Sequence, residues 1–122
     1  MILADTSVWI DFLRQSGEEM RNLLADGQIV MHPFIVAEVS LGSMRNRRKV
    51  IEELDSLREV SVAQLGEVRQ MIEDHTLYSK GIGLTDAHLL ASCLLTPGIA
   101  LWTRDAAMGR AAKSMGIRSY PA

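Results

Sequence analysis

Residues 1 to 12 read MILADTSVWIDF, and the reading of this stretch decides the fold. Met1 to Ala4 is an apolar run too short for a helix and reads as a buried strand. The run stops at Asp5, the hydroxyl residues Thr6 and Ser7 follow, and an amphipathic segment starts at once. That segment predicts a helix over Ser7 to Arg14, with Val8 and Phe12 facing inward and Trp9 beside them. A short strand running directly into a helix is how a parallel-sheet unit begins. Asp5, at the junction, has two readings: it caps the helix, or it does chemistry.

The rest of the chain repeats the alternation. Glu18 to Ala25 reads as a short helix ended by Asp26-Gly27, and Gln28 to His32 is β-rich. Pro33 suits a first helical position, where its missing N–H costs nothing, and the helix continues to Leu41. Further helices are expected over Arg45 to Leu57, Gln64 to Tyr78, from a Thr85 cap to Leu95, and over Asp105 to Met115. In the second of these, Leu65, Val68, Met71 and Ile72 recur at helical spacing. Strands are expected at Glu59 to Val62, Ile99 to Trp102 and near Ile117. The pattern predicts a single α/β domain over residues 1–122, a parallel sheet sandwiched by helices.

Composition narrows the class. A chain of 122 residues, 48% hydrophobic and 23% charged, suits one compact domain and argues against a disordered tail. Cys93 is the only cysteine, so no intrachain disulfide can form and a reducing, cytoplasmic setting is expected. Residues 87 to 103 carry no Asp, Glu, Lys or Arg, but Pro97-Gly98 divides them into halves too short to span a bilayer. No basic leader precedes the first apolar run, so no signal peptide is expected. A net charge of −2 gives no global attraction to nucleic acid; any such binding needs a local patch.

Asp5 has counterparts. ILADTSVWIDFL, GLTDAHLLASCLL and IALWTRDAAMGRAA each place an acid, with a threonine beside or near it, where a helix begins. Loops leaving the C-terminal strand ends of a parallel sheet gather on one edge, where such folds bind ligands. Asp5, Asp86 and Asp105 can therefore converge. Taken singly, each is explained as a cap or a first-turn acid that gains about 0.3–1 kcal/mol from the helix dipole. Three at one edge weaken that account, because their mutual repulsion offsets the gain unless a cation is present. Glu38 adds a fourth acid. It is the only charge between Pro33 and Gly42, in a helix apolar almost all round, which predicts a place in the core layer. An unpaired carboxylate there is costly. A distant arginine such as Arg104 could satisfy it, as could a metal ion shared with the aspartates. The metal reading is preferred.

LADTSVWIDFL, the isolated Glu38, LTDAHLLA and LWTRDAAM, in that order over the whole chain, resemble the PIN-domain ribonucleases. Within them the chain is most similar to the VapC-like toxins of bacterial toxin–antitoxin pairs. The resemblance implies a metal-binding acidic pocket made by Asp5, Glu38, Asp86 and Asp105, with Thr6 or Ser7 and Thr103 as lining hydroxyls. It also implies endonucleolytic cleavage of RNA that leaves a 5′-phosphate and a 3′-hydroxyl, a VapB-like antitoxin that can insert a basic residue into the pocket, and homodimerisation. The residue types suit such chemistry. Mg²⁺ and Mn²⁺ prefer hard oxygen ligands, and can acidify a bound water and neutralise a leaving oxygen. Asp5 and Asp86 are expected as direct ligands, Glu38 as a ligand or water-positioning base, and Asp105 as a second-ion or outer-sphere ligand.

RNA binding needs positive charge. Arg45, Arg47, Arg48 and Lys49 form the only basic cluster, which reads equally as a solvated helix start with Arg48–Glu52 and Lys49–Glu53 pairs. Arg104, beside Asp105, is the better candidate for gripping phosphate. Two Tyr and two Phe leave little aromatic surface for base stacking. His32, His75 and His88 lack metal-binding spacing and are expected at the surface or as caps. Asp11 fits the acidic edge or a solvated face. Trp9, Leu13 and the long Met-containing helix read as core or as a partner surface. Rival functions are a phosphoacceptor signalling domain, which expects paired acids at the first strand end, and a phosphatase, which expects an acid at position 7, where Ser7 stands. A third rival is a non-catalytic binding module.

Overall fold

A computed structural model describes residues 1–122. Strand β1 (Ile2–Ala4) leads into α1 (Thr6–Gln15) and α2 (Glu18–Ala25), then β2 (Ile29–Val30). Four helices follow: α3 (Pro33–Ser40), α4 (Arg47–Asp55), α5 (Leu65–Asp74) and α6 (Leu84–Leu95). The chain ends with β3 (Ala100–Trp102), α7 (Ala106–Ser114) and β4 (Arg118–Ser119). All strands pair in parallel in the order β2-β1-β3-β4. No helix is long and apolar enough to cross a membrane.

The sheet order explains the residue types. β1 lies between two neighbours and is buried along its length, so it reads as an unbroken apolar run. β4 is an edge strand with both residues exposed, and it carries Arg118 and Ser119. Two strands are entered through glycine turns of one kind. Gly27 and Gly116 both have positive φ, which permits the Gln28 N–H to reach the Leu23 carbonyl and the Ile117 N–H that of Ala112, each at 2.9 Å. The core runs through both faces of the sheet, with Leu3, Ile35, Val68, Leu89, Leu90 and Met108 fully buried.

Three expectations need correction. Glu59 to Val62 is no strand: it makes a single bridge, Met31 to Glu59. The chain then turns off the sheet because the Ser61 N–H bonds the Thr96 hydroxyl at 3.0 Å, tying it to the end of α6. Helix α4 starts at Arg47 rather than Arg45, since Asn46 is left-handed. Thr85 does not cap α6; Gly83 occupies that position and Thr85 lies inside the first turn.

Connections from β1 run to one side of the sheet, to β2, and those from β3 run to the other, to β4. The crevice between the carboxyl ends of β1 and β3 is therefore the switch point at which open α/β sheets hold their ligands. Ala4 pairs with Trp102, so Asp5 and Thr103 leave the two strands side by side.

Candidate active site

Asp5 is 4% exposed and both its carboxylate oxygens are hydrogen-bonded. Its Oδ1 accepts the Ser7 hydroxyl at 2.5 Å and the Val8 N–H at 3.2 Å, which caps α1. Its Oδ2 accepts the Thr103 hydroxyl from the end of β3. Asp5 is a helix cap, and it sits at the switch point of the sheet.

Thr103 also accepts the Asp105 N–H at 3.0 Å, linking the first acid to the last. Asp105 in turn caps α7, accepting the Ala107 and Met108 N–H groups at 2.8 and 3.1 Å, and is exposed. Glu38 accepts the Thr6 hydroxyl at 2.6 Å through Oε1. It is half-buried rather than in the core layer, because α3 places its apolar sides against α1 and α4 and turns Glu38 toward the start of α1. No arginine neutralises it: the single ion pair of the chain joins Arg104 to Asp11.

Asp86 lies in the first turn of α6. Burial raises its pKa, and the charges of Asp105, Asp5 and Glu38, in that order, raise it further; the Gly83 N–H opposes the shift. Three acids thus act on Asp86 through space, although the four come from four separate segments. Hard carboxylate oxygens with no cation among them fit a divalent ion such as Mg²⁺ or Mn²⁺. No three His, Cys, Asp or Glu side chains form a ready cage, so the fit is to an ion that keeps waters and takes few carboxylates.

The hydroxyl residues bond the acids, Ser7 and Thr103 on Asp5 and Thr6 on Glu38. The basic cluster divides. Arg47 donates to the carbonyls of Ser40 and Gly42 and closes the C-terminal end of α3. Arg45 lines a cavity of about 260 Å³ that Glu38 also lines. Arg48 and Lys49 are exposed and form neither helical ion pair. Arg104 is held by Asp11 through Nε at 2.6 Å, a pairing that sequence spacing did not reveal.

One histidine meets the expectation and another departs from it. His32 does cap α3, its Nδ1 accepting the Phe34 N–H at 2.9 Å, but it is fully buried. His88 lies in the core on α6, its ring 6.3 Å from that of His32. Burial, and to a lesser degree His88, lowers the His32 pKa to about 4, and burial lowers that of His88. The apolar neighbours of His88 along α6 were the available signal. Trp9 is core, not a partner surface.

The chain is 38% identical over 117 residues to Ribonuclease VapC32 of Mycobacterium tuberculosis, in both strain CDC 1551 and strain H37Rv. Each match covers 96% of this chain and 94% of the relative. The PIN domain family profile matches residues 2–114. With the parallel sheet and the acids at its switch point, the chain belongs to the PIN domain family.

Proposed function

We propose that this protein is a metal-dependent endoribonuclease, the toxin of a toxin–antitoxin pair. The observation that carries the reading is the convergence of Asp105, Asp5 and Glu38 on Asp86, whose pKa burial raises and these three charges raise further, with no internal counter-charge. The similarity to proteins named Ribonuclease VapC32 supports RNA as the substrate. Bound Mg²⁺ or Mn²⁺ supplies charge neutralisation for the phosphodiester and acidifies a water.

The protein's own groups do the rest. Asp5, fixed by Ser7, Val8 and Thr103, and Asp86, in the first turn of α6, present direct ligand oxygens. Glu38 is held through Oε1 by Thr6, which leaves Oε2 to orient the attacking water or take its proton. Asp105 would hold a second ion or reach the first through water. Water adds to phosphorus, the bond to the 3′-oxygen breaks, and the products are a 5′-phosphate and a 3′-hydroxyl. Arg45, Arg48 and Lys49 contact flanking phosphates, whereas Arg47 acts through α3.

The partner is a VapB-like antitoxin with a basic residue that can enter the acidic pocket, and the setting is the cytoplasm. A homodimer is supported by Val62, Leu65, Leu94 and Leu95, exposed on segments that the Ser61–Thr96 bond draws together. Purified protein incubated with labelled total RNA, with Mg²⁺, with Mn²⁺ and with EDTA, tests the function beside Asp5→Ala and Glu38→Ala. Discrete fragments that need metal and vanish in both folded variants are expected. No cleavage by protein shown free of antitoxin would leave a binding module instead.

A further inference from the structure

A cavity of about 360 Å³ opens between α1 and α2 beside the acid cluster, at the lower end of the roughly 300–1,000 Å³ of ligand clefts. Its apolar lining includes Phe12, Met20 and Trp102, and its rim carries Asp11, Glu19 and Arg104. It is joined to the reacting centre by covalent and hydrogen-bonded neighbours. The Arg104 N–H reaches the Ser7 hydroxyl at 3.3 Å, Ser7 donates to Asp5, and Arg104 directly precedes Asp105.

Arg104 is presented rather than satisfied. Asp11 forms an ion pair at its Nε, and no hydrogen bond occupies the guanidinium, so both terminal nitrogens keep their N–H groups. That edge is the half of the guanidinium fork that matches a phosphate. A pair this exposed, with both side chains about half accessible (53% and 52%), is a weak tether that permits approach from solvent. Across the cavity the Glu19 carboxylate is fixed by the Tyr120 hydroxyl at 2.7 Å. A carboxylate at the rim of a cleft accepts best from two adjacent N–H donors, which guanine offers on its Watson–Crick edge and uracil does not.

The geometry points to this cavity as a nucleotide subsite of the substrate RNA, flanking the scissile phosphate. Arg104, positioned by Asp11, takes the nucleotide's phosphate, and the cavity takes its base, with Glu19 selecting guanine. This rests on the nuclease reading above and adds to it the nucleotide that the site recognises.

The test uses the whole protein in EDTA, with NMR signals of the Met20 methyl and Trp102 indole followed during titration with 5′-GMP, 5′-UMP and guanosine. GMP is expected to shift both signals and to bind about tenfold tighter than UMP. Glu19→Gln, an exposed substitution, should remove that preference. Asp11→Asn and Arg104→Lys should weaken GMP several-fold while leaving guanosine unchanged, a split that a purely structural defect would not produce. Shifts confined to other residues, equal binding of GMP and UMP, or equal loss of GMP and guanosine in Asp11→Asn would overturn the subsite. Cleavage of RNA without binding here would remove the subsite and keep the nuclease; binding here without cleavage would do the reverse.

Discussion

The Thr103 hydroxyl donates to Asp5 Oδ2 across a separation of 98 residues, and the same oxygen of Thr103 accepts the Asp105 N–H. One hydroxyl thus orients the first acid and the turn that carries the last. Replacing it with Thr103→Val leaves a buried carboxylate oxygen without its partner and hands the exposed Asp105 amide to water, at a cost of about 1–3 kcal/mol in stability. Cleavage should fall roughly 10- to 100-fold through misplacement of Asp5. Thr103→Ser should recover both. Urea unfolding beside single-turnover cleavage separates the two effects, and a fully active Thr103→Val would refute the role.

Asp86 should trade stability for function. Its raised pKa records repulsion from Asp105, Asp5 and Glu38 together with burial. The folded state binds this proton more tightly than the unfolded one. The resulting stabilisation is present below the ordinary carboxyl pKa of 3.8 and is lost as pH rises through the shifted value. In EDTA at neutral pH, Asp86→Asn should therefore raise Tm, by the equivalent of up to about 1 kcal/mol, and abolish cleavage. Mg²⁺ should raise the Tm of the native chain more than that of the variant. Scanning calorimetry with and without Mg²⁺ decides the matter; an Asp86→Asn protein less stable than the parent would count against shared repulsion.

His32 sets an acid limit of opposite sign. Its pKa is lowered from 6.5 to about 4, so the unfolded chain binds the proton more readily. Its contribution to stability is present above pH 6.5 and is lost as pH falls toward 4, amounting to on the order of 1–3 kcal/mol. His32→Asn keeps a capping side chain without the titration. Denaturant unfolding across pH 7 to 4 should give a shallower fall for the variant, and parallel curves would rule the histidine out.

The exposed pair Arg48 and Lys49 should contribute through phosphate alone. Replacing both with alanine should lower the slope of log affinity against log salt by about 1.4–1.8, at roughly 0.7–0.9 per contact. Arg47→Ala should instead loosen the end of α3, where it holds the Ser40 and Gly42 carbonyls, and leave the salt slope unchanged. Fluorescence anisotropy with labelled RNA over a salt series reads both slopes.

Much of the site was legible because its residues break local patterns. Asp5 interrupts an apolar run at the entrance to a helix, and Glu38 stands alone among apolar neighbours. The depth of Glu38 was misjudged because a helix packed on two sides looks apolar all round even when one residue faces a crevice. His88 was misjudged for the converse reason: a neutral imidazole is tolerated in a core, and spacing does not register it. The Asp11–Arg104 pair escaped notice because its partners belong to elements far apart in the chain.

The sequence by itself determined the alternation of strands and helices, the capping positions of Asp5 and Asp105 and the four acids, because these follow from local hydrogen bonding and periodicity. Only the tertiary structure decided which side chains meet. The parallel register of Ala4 with Trp102 brings Thr103 to Asp5, and the packing of α3 and α6 brings Glu38 and Asp86 into the same field. Register and packing belong to the whole sheet and core, and Coulomb interactions depend on distance through space rather than along the chain.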